Sequence, residues 1–291
     1  MNFIVFLLRR FTTVAYCVHG IGLGRVCEFI RKTAAKMAPT EPLLIEDFQG
    51  HGKFWCYLQE HMGSQIFFRG AYSGDSLTVL TQYLKPDSVF IDIGANHGEF
   101  TVAAALLTPN GQTIAFEPVP KNIARLRINV QSNHLSNVQI MSMGLSDQEG
   151  TFPIYDQETP YDDGTTNEGL TSLFAAGKRS ISSASITTRR LDDVWSSLGL
   201  NRVDMIKLDI EGAEWQALRG GQRLLERYKP ILLVEVAQST CAAAGYRAND
   251  FAQWIEDLGY RLFLICDAGH LREITPTKLA EFQNLLALPR L

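Results

Sequence analysis

Val89-Phe90-Ile91-Asp92-Ile93-Gly94-Ala95-Asn96-His97-Gly98 is the stretch on which the fold turns. Its first five residues are nearly all apolar and are closed by a glycine, the pattern of a short strand buried on both faces. Gly94 suits a sharp turn, and Gly98 suits close approach of the next helix to the sheet. Backbone N–H groups at such a helix start can hold a carboxylate or a phosphate. Thr113-Ile114-Ala115-Phe116 then reads as a second strand ending at Glu117, where a carboxylate can accept both hydroxyls of a ribose.

Outward from this unit the same rhythm continues. Helices are expected over 100–107, 120–131, 213–228 and 251–258. Further strands are expected over 138–143, 203–209, 231–236 and 260–266, and near 285–288. Strands alternating with helices imply an α/β, Rossmann-like sheet of seven mostly parallel strands. Upstream, short apolar runs between Leu43 and Arg69, including Ile66-Phe67-Phe68, suggest a β-rich segment, and Ser76–Leu84 has helical spacing. Residues 1–40 read as an N-terminal helical extension to a domain spanning 41–291. A helical cap is the preferred role for it, and peripheral membrane contact through residues 1–30 is the alternative. Arg9 and Arg10 interrupt the first apolar run far short of the roughly 20 residues a spanning helix needs.

The chain has 291 residues, a net charge of -4 and 46% hydrophobic content, an ordinary globular composition. That charge speaks against broad capture of nucleic acid, which needs clustered Lys and Arg. The five cysteines are scattered with no CxxC spacing. Reduced thiols in a cytoplasmic setting are therefore expected, with neither a disulfide framework nor a zinc site.

The loop alone suits either a nicotinamide dinucleotide or S-adenosylmethionine. Its spacing is D-x-G-x-x-x-G, not the G-x-G-x-x-G of a pyrophosphate loop, and Asn96 stands where a backbone would have to approach most closely. Asp92 is expected near the ammonium end of the cofactor. These details favour S-adenosylmethionine over the alternative of an NAD-type oxidoreductase.

Phe90 to Gly98, Phe116-Glu117-Pro118, Gly144-Leu145-Ser146-Asp147, Ile206 to Glu214 and a strand ending at Glu235 together resemble the FkbM family of S-adenosylmethionine-dependent methyltransferases. Lys207-Leu208-Asp209-Ile210-Glu211-Gly212-Ala213-Glu214 is the most specific part, and the resemblance covers roughly residues 70 to 290. It implies the class I methyltransferase fold and methyl transfer to a hydroxyl, typically on a sugar or natural product. Ser146 and Asp147 then join Asp92, Gly94, Asn96, Gly98 and Glu117 as expected cofactor contacts. The family often has a histidine two residues after the fifth-strand glutamate; here that place is Ala237.

In the usual strand order the fourth strand neighbours the first, so Asp209 should end beside Gly94. Lys207 and Asp209 share one strand face, and Glu211 and Glu235 should join them at the sheet edge. Asp209 and Glu211 are the candidate bases for an acceptor hydroxyl, with Lys207 and Glu235 beside them. The competing structural readings make Glu211 an N-cap-like residue of the next helix and Lys207 the partner of a nearby acid. No metal is assigned, although clustered carboxylates suit Mg²⁺, and His97 is the one histidine within the loop. A catalytically inactive cofactor-binding scaffold is the remaining alternative. Residues 147–192 are too long for a plain connection; Thr151–Tyr155 and Ser185–Thr188 alternate like edge strands, and Asn167–Leu173 resembles the family's segment before the fourth strand. This insertion is expected to close over the acceptor, with a disordered surface loop as the alternative.

Overall fold

The computed structural model describes residues 2–17, 24–37, 40–157, 165–166, 171–175 and 179–290. Two helices, α1 (Asn2–Cys17) and α2 (Gly24–Met37), lead into a hairpin of β1 (Leu43–Phe48) and β2 (Gly52–Cys56), then α3 (His61–Arg69) and α4 (Gly74–Tyr83). The first α/β unit follows as β3 (Val89–Ile93), α5 (Glu99–Leu107), β4 (Gln112–Phe116), α6 (Pro120–Ser132) and β5 (Val138–Met141). An inserted sheet comprises β6 (Gly144–Leu145), β7 (Gly150–Gln157), β8 (Thr171–Ser172) and β9 (Arg179–Arg189). The chain then runs through α7 (Leu191–Ser197), β10 (Met205–Leu208), α8 (Glu214–Gly220), α9 (Gln222–Tyr228), β11 (Ile231–Ala237), α10 (Gln238–Ala243) and α11 (Ala248–Asp257). It finishes with β12 (Tyr260–Ile265), β13 (Leu271–Ile274) and β14 (Phe282–Pro289).

The main sheet has the order β13-β12-β14-β11-β10-β3-β4-β5. Strands β11, β10, β3, β4 and β5 are parallel, whereas β14 runs antiparallel to both β11 and β12. The α/β class and the mostly parallel sheet therefore stand, but with eight strands in place of seven. The additional strand is β13, a short edge element carrying Arg272 and Glu273, whose charge makes it read as loop. Strand order reverses between β3 and β10, and a ligand crevice opens at the carboxyl ends of strands placed this way.

Alternate residues of the central strands enter two apolar clusters, one on each face. Ile91, Ile93, Ile206, Leu208, Leu232 and Val234 join one cluster. Phe90, Met205, Leu233 and Leu286 join the other, together with Val5 of α1, Ala34 of α2, and Phe67 and Phe68 of α3. On that second face, the strand periodicity places Asp92, Lys207 and Glu235 in one row.

Three local expectations change. Ile66-Phe67-Phe68 lies in α3 and not in a strand; all three side chains are buried, so their contiguity reflects helix burial on several sides. The helix expected over 213–228 is two helices meeting at Gly221, where a Cβ would press on Leu191. The alternating segments near Thr151 and Ser185 pair with each other in the inserted sheet, not along an edge of the main one. Of Asn167–Leu173, which resembles the family's segment before the fourth strand, residues 167–170 lie outside the described residues and Thr171–Ser172 forms β8.

Strand β2 has a second partner besides β1. Asn129 on α6 and Asn133, which caps its C-terminus, serve its backbone: Trp55 N donates to Asn129 Oδ1 at 2.9 Å and Lys53 N to Asn133 Oδ1 at 2.7 Å, while Asn133 Nδ2 donates to Lys53 O at 2.7 Å. These bonds satisfy main-chain groups that a bare edge would leave open.

Candidate active site

The site is built where two loops touch. Gly94 sits at φ +79, and a Cβ there would collide with the carbonyl oxygen of Asp209. Only glycine lets the β3 and β10 exits come this close. Asp209 N donates to Ile93 O at 3.2 Å, and Gly94 N and Ala95 N both reach Phe116 O at 3.0 Å. The ends of β3, β4 and β10 are thereby laced together.

Lys207 and Asp92 are in register on neighbouring strands. Asp92 is completely buried; its Oδ2 accepts from Thr101 Oγ1 at 2.6 Å, and its Oδ1 lies 3.3 Å from Lys207 Nζ. Lys207 Nζ donates to Gly94 O at 2.7 Å and lies 3.9 Å from Asp209 Oδ2. Burial opposes the lysine charge, but Asp92 and Asp209 outweigh it and hold the ammonium above its ordinary range. Lys207 therefore pairs an acid and pins the loop carbonyl. This is the competing structural reading of it, and it gives Asp92 a supporting place beneath the loop.

Glu117 is also buried. Its carboxylate accepts from Asn96 N at 2.8 Å, from Val119 N at 2.9 Å and from Asn122 Nδ2 at 3.4 Å. Burial raises its pKa to about 7 against the lowering effect of those donors. Asn96 holds a left-handed φ of 50, and its buried Oδ1 has no donor. Gly98 is left-handed too, at φ +94, with Leu126 packed where a Cβ would stand.

His97, beside Asn96, belongs to a network absent from any local motif. Arg125 Nη1 donates to His97 Nε2 at 2.8 Å and to Glu60 Oε2 at 2.7 Å, while Arg125 Nη2 pairs Glu60 Oε1 at 2.6 Å. The guanidinium stacks 3.8 Å from the Tyr57 ring centre. Burial, then Arg125 and Lys121, press His97 down to about 3, so the imidazole is neutral. With Nε2 accepting, Nδ1 carries the hydrogen, and that buried donor has no acceptor. Glu99, first in α5, holds the neighbouring segment through Tyr72 N at 2.6 Å and Ser73 N at 3.2 Å.

On the other side of Gly94, carboxylate oxygens of Asp209, Glu211 and Glu235 lie within 4.8 Å of one another. Burial first, then Asp209, Glu211 and Glu214, push Glu235 well above the usual carboxylate range. Three acids at this spacing can share protons or bridge a hard divalent cation. Glu211 is left-handed at φ 57. Capping belongs to Glu214, whose Oε1 accepts from Ile210 N at 2.9 Å and whose Oε2 accepts from Gly212 N at 3.0 Å. Tyr246 Oη completes the turn by donating to Gly212 O at 3.0 Å. Burial takes Glu214 to about 7.

The predicted residues thus fall into groups. Gly94, Asn96, Gly98 and Glu117 converge on the loop, Asp209, Glu211 and Glu235 form the acid cluster, and Asp92 with Lys207 lies beneath both. Asp147 pairs Arg219 of α8, and Gly220 packs against the Ser146 backbone. Sequence reading passed over Glu60, Glu99, Arg125 and Glu214. A glutamate three residues after a loop acid is a capping signal that points to Glu214, whereas Glu60 and Arg125 are 65 residues apart and carry no local signal.

The insertion of residues 147–192 reaches this site at two points. Ser172 Oγ donates to Glu211 O at 2.7 Å. Thr166 N donates to Gln59 O and His61 N to Thr166 O, both at 2.9 Å.

Residues 92–262 match the Methyltransferase FkbM domain. The chain is 32% identical over 157 residues to the 2-O-methyltransferase NoeI of Sinorhizobium fredii, covering 50% of this chain and 63% of that protein. It is 27% identical over 276 residues to the AMB antimetabolite synthetase AmbE of Pseudomonas aeruginosa, covering 84% of this chain but 13% of that protein. The chain thus spans less than two thirds of either relative. A crystal structure of Methyltransferase FkbM from Methylobacillus flagellatus aligns at a TM-score of 0.43 with 20% identity, over 70% of this chain and 44% of that one. With well over half of its length matched by the domain, the protein belongs to the FkbM methyltransferase family.

Proposed function

We propose that the protein transfers the methyl group of S-adenosylmethionine to a hydroxyl of a sugar or natural-product acceptor. The observation that carries this reading is the contact of Gly94 with Asp209, which brings the nucleoside-type loop and the acid cluster to one crevice. The name of NoeI, a 2-O-methyltransferase, supports oxygen as the receiving atom.

The residues present fit the cofactor. Glu117 directly follows β4, where a ribose would lie, and Asn96 Oδ1 and His97 Nδ1 are buried groups still lacking partners. Glu117 and the loop amides would hold the nucleoside, and Lys207 would keep the loop carbonyl of Gly94 turned inward. When bound, S-adenosylmethionine supplies a methyl group on a positively charged sulfur, open to in-line attack. Asp209 and Glu211 orient the acceptor hydroxyl and take up its proton. Glu235, with its raised pKa, shares that proton within the cluster. The inserted sheet covers the acceptor side through Ser172.

Transfer of labelled methyl to a panel of hydroxylated sugars and polyketides tests the reading. Asp209→Asn should retain cofactor binding while turnover falls by about 10²-fold or more. Unchanged turnover in that variant would remove Asp209 from the chemistry.

A further inference from the structure

Five of the eight large apolar side chains exposed among the described residues lie on α1 and α2: Phe6, Leu7, Phe11, Val26 and Phe29. These helices are built with their polarity reversed. Facing inward are Arg9, Thr12 and Arg31, all buried. Arg9 Nε donates to Phe67 O at 2.9 Å, Thr12 Oγ1 to Phe68 O at 3.0 Å, and Arg31 Nη1 to Ser64 Oγ at 3.0 Å. Val5, Cys27 and Ala34 are buried alongside them. Facing outward, Leu7 is 59% and Phe29 69% exposed. A helix seated on a protein in water ordinarily does the opposite. Apolar side chains exposed on two helices packed against each other mark a docking face.

Charge says what docks there. Arg10 and Arg25 are exposed on the same two helices, and the Lys32 side chain, 3.8 Å from Glu28, is 42% exposed. Residues 1–38 contain six Arg and Lys against one acid, Glu28, in a chain whose net charge is -4. Glu28 is itself paired with Arg31 at 2.6 Å. A cationic, apolar face on an otherwise acidic protein is complementary to an anionic lipid surface. It is not complementary to a second copy of itself, which would bring the arginines together. No helix among the described residues is long and apolar enough to cross a membrane.

We infer that α1 and α2 form an interfacial anchor. Phe6, Leu7, Phe11, Val26 and Phe29 enter the headgroup–acyl boundary, and Arg10, Arg25 and Lys32 meet anionic headgroups. Flotation of the full chain with vesicles of phosphatidylcholine, alone or mixed equally with phosphatidylglycerol, tests this. Binding to the mixed vesicles should exceed binding to the neutral ones by about tenfold and should weaken with salt. Leu7→Ser/Phe29→Ser and Arg10→Glu/Arg25→Glu should each lower that binding about tenfold, with the thermal midpoint unchanged. Absence of flotation, or equal recovery of wild type and both variants, would overturn the anchor. So would a dimer that Leu7→Ser/Phe29→Ser dissolves in the absence of vesicle binding.

Discussion

Lys207 shows how one side chain can hold two halves of a site. Its ammonium joins the buried Asp92 carboxylate, the Gly94 carbonyl and the edge of the acid cluster. Lys207→Met would leave Asp92 buried without its cation, a change that costs about 3–5 kcal/mol; urea unfolding would measure it. A smaller loss would mean that water or another cation reaches Asp92. Glu117 gives a pH signature. Its folded pKa of about 7 lies above the ordinary carboxylate value of 4.5, so the folded state holds the extra proton between those values. The associated stability is fully present below about pH 4.5 and is lost as pH rises through about 7. Glu117→Gln should therefore flatten the fall in thermal midpoint across that window, compared with the wild type.

The elements divide by how locally they are encoded. The β3 strand, its glycine loop and β10 were legible, because burial on both faces and the Gly–Asp contact leave short, dense signatures such as Val89–Gly98 and Lys207–Glu214. The same reading missed β13, since an edge strand bearing Arg272 and Glu273 has no apolar run. It took Ile66–Phe68 as a strand because α3 is covered on several sides and loses its 3.6-residue stripe. Ser146 and Asp147 also pack on α8, Asp147 against Arg219 and the Ser146 backbone against Gly220, a tertiary pairing with no trace in the local motif. The tie between the inserted sheet and the acid loop is equally non-local. Ser172→Ala leaves the Glu211 carbonyl without its donor, at about 1–3 kcal/mol if that carbonyl stays dry. Steady-state kinetics should then show a higher KM for the acceptor with cofactor affinity unchanged; the reverse pattern would place β8 over the cofactor instead.

At the scale of the whole molecule, the N-terminal helices are part of the architecture as well as an outer face. Val5 and Ala34 join the same apolar cluster as Phe67, Phe90 and Leu233, and Arg9 and Arg31 satisfy groups on α3. Removing residues 1–38 would uncover Phe67 and Phe68, now fully buried. The thermal midpoint should fall by several degrees or more, whereas an unchanged midpoint would make those helices an independent appendage. At the strand reversal the fold then sets Glu117 and the Gly94 loop beside the acids Asp209, Glu211 and Glu235. Calorimetric titration with S-adenosylmethionine and with NAD tests this assignment most directly. The wild type should bind S-adenosylmethionine and ignore NAD, and Glu117→Ala should weaken that binding about tenfold or more. Tight NAD binding with no response to S-adenosylmethionine would contradict it.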